Sequence, residues 1–206
     1  MSPSPVTIVV DATTSLEGEF RGGTGDLGVL ITHPHPQHGG TMHTPVPTAL
    51  FDAAAQLDIA ALRFNFRGVG GSTGSHDKGV GERDDVRAGI DALIDHASVD
   101  RVIIAGWSFG ADVGLAVDHD QLVGWFAVAP PLSVVPPTEM VAAASTKPTV
   151  LVVPEHDQFN NPEAAAETTT TWESTTIEVA SGADHFLAGR MGVVGDLFSG
   201  FVATLA

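Results

Sequence analysis

Cysteine is absent from the 206 residues, which excludes disulfides, thiolate nucleophiles and cysteine–zinc sites. Lysine is nearly absent: Lys78 and Lys147 are the two present, and Lys plus Arg total 9 against 25 Asp plus Glu. The resulting formal net charge of −16 repels nucleic acid and anionic membranes, so neither is expected as a partner. No apolar run approaches the roughly 18 residues of a membrane-spanning helix. The opening MSPSPVTIVVD has no basic segment ahead of an apolar one, so no signal peptide is expected and the cytoplasm is the expected location. High acidity with so little lysine fits either an ordinary acidic cytosolic protein or one from a salt-rich, halophilic cytoplasm. The lysine deficit favours the second, because concentrated ions screen self-repulsion over a few ångströms.

What is present is a globular composition, 43% hydrophobic, without internal repeats or a linker-like block. A single domain over residues 1–206 is expected. Short β-branched runs alternate with helix-like segments. TIVVD (7–11) and LEGEF (16–20) suggest an opening hairpin. LGVLIT (27–32), IAALRFNF (59–66), RVIIAG (101–106), LVGWFAVA (122–129), PTVLVV (148–153) and STTIEVA (174–180) follow. Apolar runs of this length bounded by Gly and Pro fit strands buried on both faces, as in a parallel sheet. Between them, helices are expected over 47–57, 81–97 (Val86, Ile90, Leu93 and Ala97 on one face) and 189–205. Asn161-Pro162 with Glu163 behind it reads as an N-cap, a proline at the first helical position and an acidic first turn. The class is α/β with a mostly parallel sheet.

The motif that carries chemistry is Gly106-Trp107-Ser108-Phe109-Gly110, placed between the strand RVIIAG and the helix-like ADVGLAVDH. A strand-to-helix reversal this tight strains the serine backbone and needs small neighbours. It lifts Ser108 Oγ out at the carboxyl edge of the sheet and turns the following amides toward it. A serine nucleophile needs a base, and the base needs an orienting acid; on a parallel sheet with this strand–serine–helix turn the chain order is Ser, then acid, then His. Asp157, four residues past PTVLVV, and His185, after STTIEVA, have the right position relative to strand ends. Asp184, Glu155 and His156 are the neighbouring alternatives. An oxyanion would be held by the Phe109 N–H and by one from the loop HPHPQHGGTMH. Pro34 and Pro36 have no N–H, which leaves His35 as the candidate.

That loop carries His33, His35, His38 and His43, but no matching carboxylate pair and no His-x-x-x-His helix, so no metal or other cofactor is expected. Met42, His43 and Trp107 are the candidates to line the substrate cleft, Met42 and His43 on its acyl or leaving-group side. RFNFRGVGGSTG lacks the lysine of a phosphate loop and misses the dinucleotide spacing. Arg67 there is expected to tether the loop through carbonyls or a carboxylate.

With these blocks in hand (HPHP and GGTM, LRFNFRGVGGSTGSHDKGVGERDDV, GWSFGA, HDQFNNP, GADHFLAG) the chain resembles the α/β-hydrolase superfamily. It is most similar to the small lidless prokaryotic members often grouped with dienelactone hydrolases. The resemblance implies an α/β-hydrolase fold with helices on both sheet faces, and Ser108, Asp157 and His185 as a catalytic triad. The family usually carries glycine three residues before the acid, where this chain has Pro154. Only about twenty residues separate the strands ending near Ala129 and starting at Pro148, with room for one short helix and no cap domain. An open cleft for a small acyl ester or thioester is therefore expected. The expected activity is serine-dependent hydrolysis through an acyl-enzyme. The alternatives are a non-catalytic interaction module on the same fold and an acyltransferase using the same triad.

Overall fold

The computed structural model describes residues 2–205. In chain order the strands are β1 (Ser4–Val9), β2 (Ser15–Arg21), β3 (Leu27–Thr32), β4 (Ala60–Phe64), β5 (Arg101–Trp107), β6 (Leu122–Val128), β7 (Thr149–Pro154) and β8 (Thr175–Ala180). The α-helices are α1 (Pro45–Gln56), α2 (Glu82–Ala97), α3 (Phe109–Leu115), α4 (Pro162–Thr168) and α5 (Met191–Thr204). All eight strands form one sheet in the order β1-β2-β4-β3-β5-β6-β7-β8. β1 pairs β2 and β2 pairs β4 antiparallel, and every later pairing is parallel.

Strands β3 and β4 are buried along their whole length, because parallel crossovers put helices on both faces and leave no strand face to water. Alternation along β5 divides its residues between two cores. Val102 and Ile104 join Val86, Ile90 and Leu93 of α2 and Val113 of α3. Ile103, Ala105 and Trp107 join Leu50 and Phe51 of α1 and Val194 and Phe198 of α5. Each such side chain taken from water contributes roughly 1.5–3 kcal/mol. α4 starts as its sequence suggests: Asn161 Oδ1 accepts the Ala164 N–H at 2.9 Å, with Pro162 at the first turn.

Two segments differ from expectation. The segment between β6 and β7 forms two 3₁₀ turns, Pro137–Glu139 and Val141–Ala144, in place of a short helix. Prolines 130, 131, 136 and 137 remove the amides that an α-helix would use. No cap domain is inserted there. α3 begins at Phe109 rather than Ala111, because the reversal is completed at Ser108 alone.

Winding reverses at β3: the chain proceeds to β4 on one side and to β5 on the other. The loops after β3 and β5 therefore diverge and leave a crevice at the carboxyl edge of the sheet, where open α/β sheets bind ligands. His35 follows β3 and Ser108 follows β5.

Candidate active site

Ser108 has φ 55° and ψ −118°, a left-handed conformation that costs on the order of 1–3 kcal/mol and persists only where neighbours hold it. Its N–H donates to Val128 O at 2.9 Å, and Thr32 Oγ1 donates to Gly110 O at 2.9 Å. A Cβ on Gly106 would lie 2.7 Å from Gly110 O, and one on Gly110 would lie 2.5 Å from His33 O. The turn is closed by contacts that only glycine admits at these two positions.

Ser108 Oγ lies 3.0 Å from His185 Nε2, and His185 Nδ1 lies 2.8 Å from Asp157 Oδ2. The side chains of His185 and Asp157 are 7% and 1% exposed. With Asp157 accepting from Nδ1–H, Nε2 carries the lone pair and faces the serine hydroxyl. Asp157 is itself fixed, since its Oδ1 accepts the N–H groups of Phe159 (2.8 Å) and Asn160 (3.3 Å). Pro154 closes the turn ahead of it, its carbonyl accepting the Asp157 N–H at 3.2 Å. The neighbouring alternatives point elsewhere. Glu155 Oε2 accepts the Gly182 N–H, Asp184 Oδ1 accepts the Phe186 N–H, and His156 is exposed.

In the loop after β3, the His35 ring sits 5.1 Å from the Phe109 ring. Among the described residues, neither the His35 N–H nor the Phe109 N–H donates to another protein group. The Phe109 N–H is the free first amide of α3. The His35 carbonyl accepts from the N–H groups of His38 and Gly40, which curls the loop into a tight turn. Burial, then the His38 and His76 imidazoles, push the His35 ring below the usual histidine range. His33 is a core anchor rather than a surface group. It is fully buried, its Nε2 accepts the Phe66 N–H at 3.0 Å, and burial pushes it down to about 4.

The residues expected to line the cleft have the following surroundings. Met42 is 3% exposed and its N–H donates to Asn65 Oδ1. Together with His43 it lines a depression formed by Leu16, Glu17, Glu19 and Gly71. β2, which forms one wall of that depression, is three strands from β5, about 14 Å at ordinary strand spacing. Trp107 is buried, and its indole N–H donates to the His185 carbonyl at 3.3 Å. It backs the histidine loop instead of facing a ligand.

Two supports, Asp112 and Asn160, went unread in the sequence. Asp112, one turn into α3, is fully buried and accepts the N–H groups of Leu132 (3.0 Å), Ser133 (2.9 Å) and Val134 (2.9 Å). Asn160 Nδ2 donates to Pro130 O at 2.8 Å. Between them they hold a loop strained at Ala129 (φ 46°) and Leu132 (φ 51°) against both the serine helix and the acid loop. Arg67 makes its tether to Asp85, a carboxylate with no exposure, through its backbone N–H and its guanidinium. That hydrogen-bonded carboxylate raises Arg67 above its ordinary range.

Burial, opposed by the backbone donors of residues 132–135, pushes Asp112 up to about 6. Between pH 4 and 6 the folded state therefore holds a proton that the unfolded chain has lost. Stability falls by about 3 kcal/mol as pH rises through this window and is level above it. Asp112→Asn is expected to remove this slope. It is also expected to destabilise the protein at pH 7 by about 2–4 kcal/mol, because an amide NH₂ then faces backbone donors. Urea titrations at pH 4, 5, 6 and 7 check both; equal slopes in the two proteins would contradict the assignment.

No protein-family model matches the chain. An uncharacterized protein of Rickettsia prowazekii is 33% identical over 125 residues, 58% of this chain and 52% of its own. The matched stretch thus spans about half the length of that curated relative. An α/β serine hydrolase homologue from Coxiella burnetii is 33% identical with a TM-score of 0.86, covering 100% of this chain and 99% of that one. A serine hydrolase without a lid from Xanthomonas campestris is 25% identical with a TM-score of 0.87, covering 100% and 95%. Relatedness at this level over the full length, on a mostly parallel sheet without a cap, shows that the chain belongs to the α/β serine hydrolase family.

Proposed function

We propose that the protein hydrolyses a carboxylic ester or thioester of a small molecule through an acyl-enzyme on Ser108. The observation that carries the reading is the hydrogen-bonded series Asp157, His185, Ser108, at 2.8 and 3.0 Å. His185 Nε2 takes the Ser108 proton as Oγ attacks the acyl carbon. The carbonyl π electrons move onto oxygen, and the free amides of Phe109 and His35 receive that charge. Such donors supply roughly 3 kcal/mol each, because they are already oriented and need no reorganisation. As the intermediate collapses, the bond to the leaving group breaks and His185 passes its proton to the departing oxygen or sulfur. Water, deprotonated by the same imidazole, then attacks the acyl-enzyme, releasing the acid and restoring Ser108. Asp157 stays ionised throughout and stabilises the imidazolium.

A panel of short-chain esters and thioesters tests the reading. Turnover of at least one class with release of the free acid is expected. Intact substrates throughout, or products formed only when an alcohol or amine acceptor is added, would overturn it.

The acidic surface supports a second expectation about conditions. At a formal net charge of −16, like-charge repulsion opposes the compact state until salt screens it. A scan from 0.1 to 2 M KCl is expected to raise Tm by about 10 °C. A Tm that stays level or falls would contradict a protein suited to a salt-rich cytoplasm.

A further inference from the structure

Phenylalanine is the chain's commonest aromatic, with ten copies. Among the described residues only two of them are exposed, Phe159 at 62% and Phe186 at 58%. Both stand against the same ring. The centroid of Phe159 lies 4.5 Å from that of His185 at 65°, and Phe186 lies 5.7 Å away at 87°. Neither phenyl belongs to the two cores, which take up the others wholly or in part. Leaving two phenyls in water forfeits most of the free energy that burial would return.

Their positions are held from beneath. The Phe159 N–H donates to Asp157 Oδ1, the oxygen not used by His185, and the Phe186 N–H donates to Asp184 Oδ1 at 3.1 Å. The imidazole is thus flanked by two exposed apolar rings on anchored backbone, with the buried Trp107 ring 6.3 Å away. No cap domain covers this rim.

We propose that Phe159 and Phe186 form the binding subsite for the leaving group, and that the natural substrates are esters or thioesters whose departing alcohol or thiol carries an aromatic or branched hydrocarbon group. The assignment rests on the serine hydrolase reading above and deepens it. The group that His185 protonates must lie within hydrogen-bond reach of Nε2, so its substituent extends over the surface surrounding that imidazole. The acyl oxygen lies on the opposite side, at the Phe109 and His35 amides. A hydrocarbon substituent placed over His185 covers the two phenyl rings and excludes water from the proton transfer.

The test compares kcat/KM for 2-naphthyl acetate and phenyl acetate, whose leaving alcohols have similar acidity but different apolar area. The naphthyl ester is expected to be favoured about ten-fold by the native protein, in line with the discrimination a hydrophobic subsite achieves. In the double variant Phe159→Ser, Phe186→Ser the ratio is expected to fall to about two or below. Phe159→Leu, Phe186→Leu, which keeps apolar surface, is expected to restore more than half of the lost preference. An unchanged ratio in the serine variant would overturn the proposal. So would an effect confined to the butyrate-over-acetate ratio of phenyl esters, which would place the rings against the acyl chain. A change of oligomeric state by light scattering with the ratio intact would overturn it in favour of a second copy of this chain. Labelling of Ser108 by a fluorophosphonate is followed in every variant. Labelling with an unchanged ratio removes the leaving-group subsite alone, whereas neither labelling nor turnover in the native protein removes the hydrolase reading beneath it as well.

Discussion

Ser108→Ala is expected to lower kcat/KM for p-nitrophenyl acetate by about 10⁵–10⁶-fold. The hydroxyl is the atom that forms the acyl bond, and nothing nearby replaces it. The hydroxyl of Thr32, which packs into the same turn, is spent on Gly110 O. The fold is expected to survive, because Ser108 Oγ touches His185 alone and alanine brings the same Cβ to φ 55°. A residual rate about 10³-fold over water is expected from the Phe109 and His35 amides. A variant that kept more than one per cent of native turnover, with an unchanged Tm, would show the serine to be incidental.

Asp157→Asn is expected to lower kcat by about 10⁴-fold while moving KM by less than three-fold. The reason is specific to this site. Asp157 Oδ1 is claimed by the Phe159 and Asn160 amides, so the asparagine carbonyl must occupy that place and its NH₂ must face His185. Nδ1 then becomes the acceptor, the ring proton moves to Nε2, and the lone pair that receives the serine proton is lost. Steady-state kinetics on the purified variant read this directly. A loss of less than ten-fold would mean that the imidazole is oriented by something other than Asp157.

The features legible in the sequence were those whose cause is local. β3 matches its predicted run because both faces of a central parallel strand are buried, so no polar residue interrupts it. The serine turn was legible because its two glycines sit within five residues of each other between a strand and a helix, although the backbone they make room for includes that of β3, at Thr32 and His33. His185 and Asp157 lie 77 and 49 positions from Ser108, yet strand ends of a parallel sheet converge on one edge, so order along the chain was enough to expect these side chains near one another.

What stayed illegible depends on partners that lie far apart in sequence. Asp112 reads like a solvent-facing helix residue, and its buried role appears only when a loop 20–22 residues onward folds over it. Asn160 sits beside the visible N-cap Asn161, which absorbs the obvious explanation for the pair. The direction of the segment carrying Met42 and His43 was not legible because loop length does not fix it: the Asn65 side chain, itself bonded to Glu17 of β2, draws this segment toward β2. Phe159 and Phe186 gave no signal, since a phenylalanine in a loop reads as core until its exposure is seen.

The central claim is that Ser108 is a nucleophile made reactive by His185. Intact-mass and peptide mass spectrometry after incubation with a fluorophosphonate probe tests it most directly. A single adduct per chain on the peptide containing Ser108 is expected, lost in Ser108→Ala and formed at least 10³-fold more slowly in His185→Ala. No adduct on the native protein, or an adduct at another residue that persists in Ser108→Ala, would contradict it.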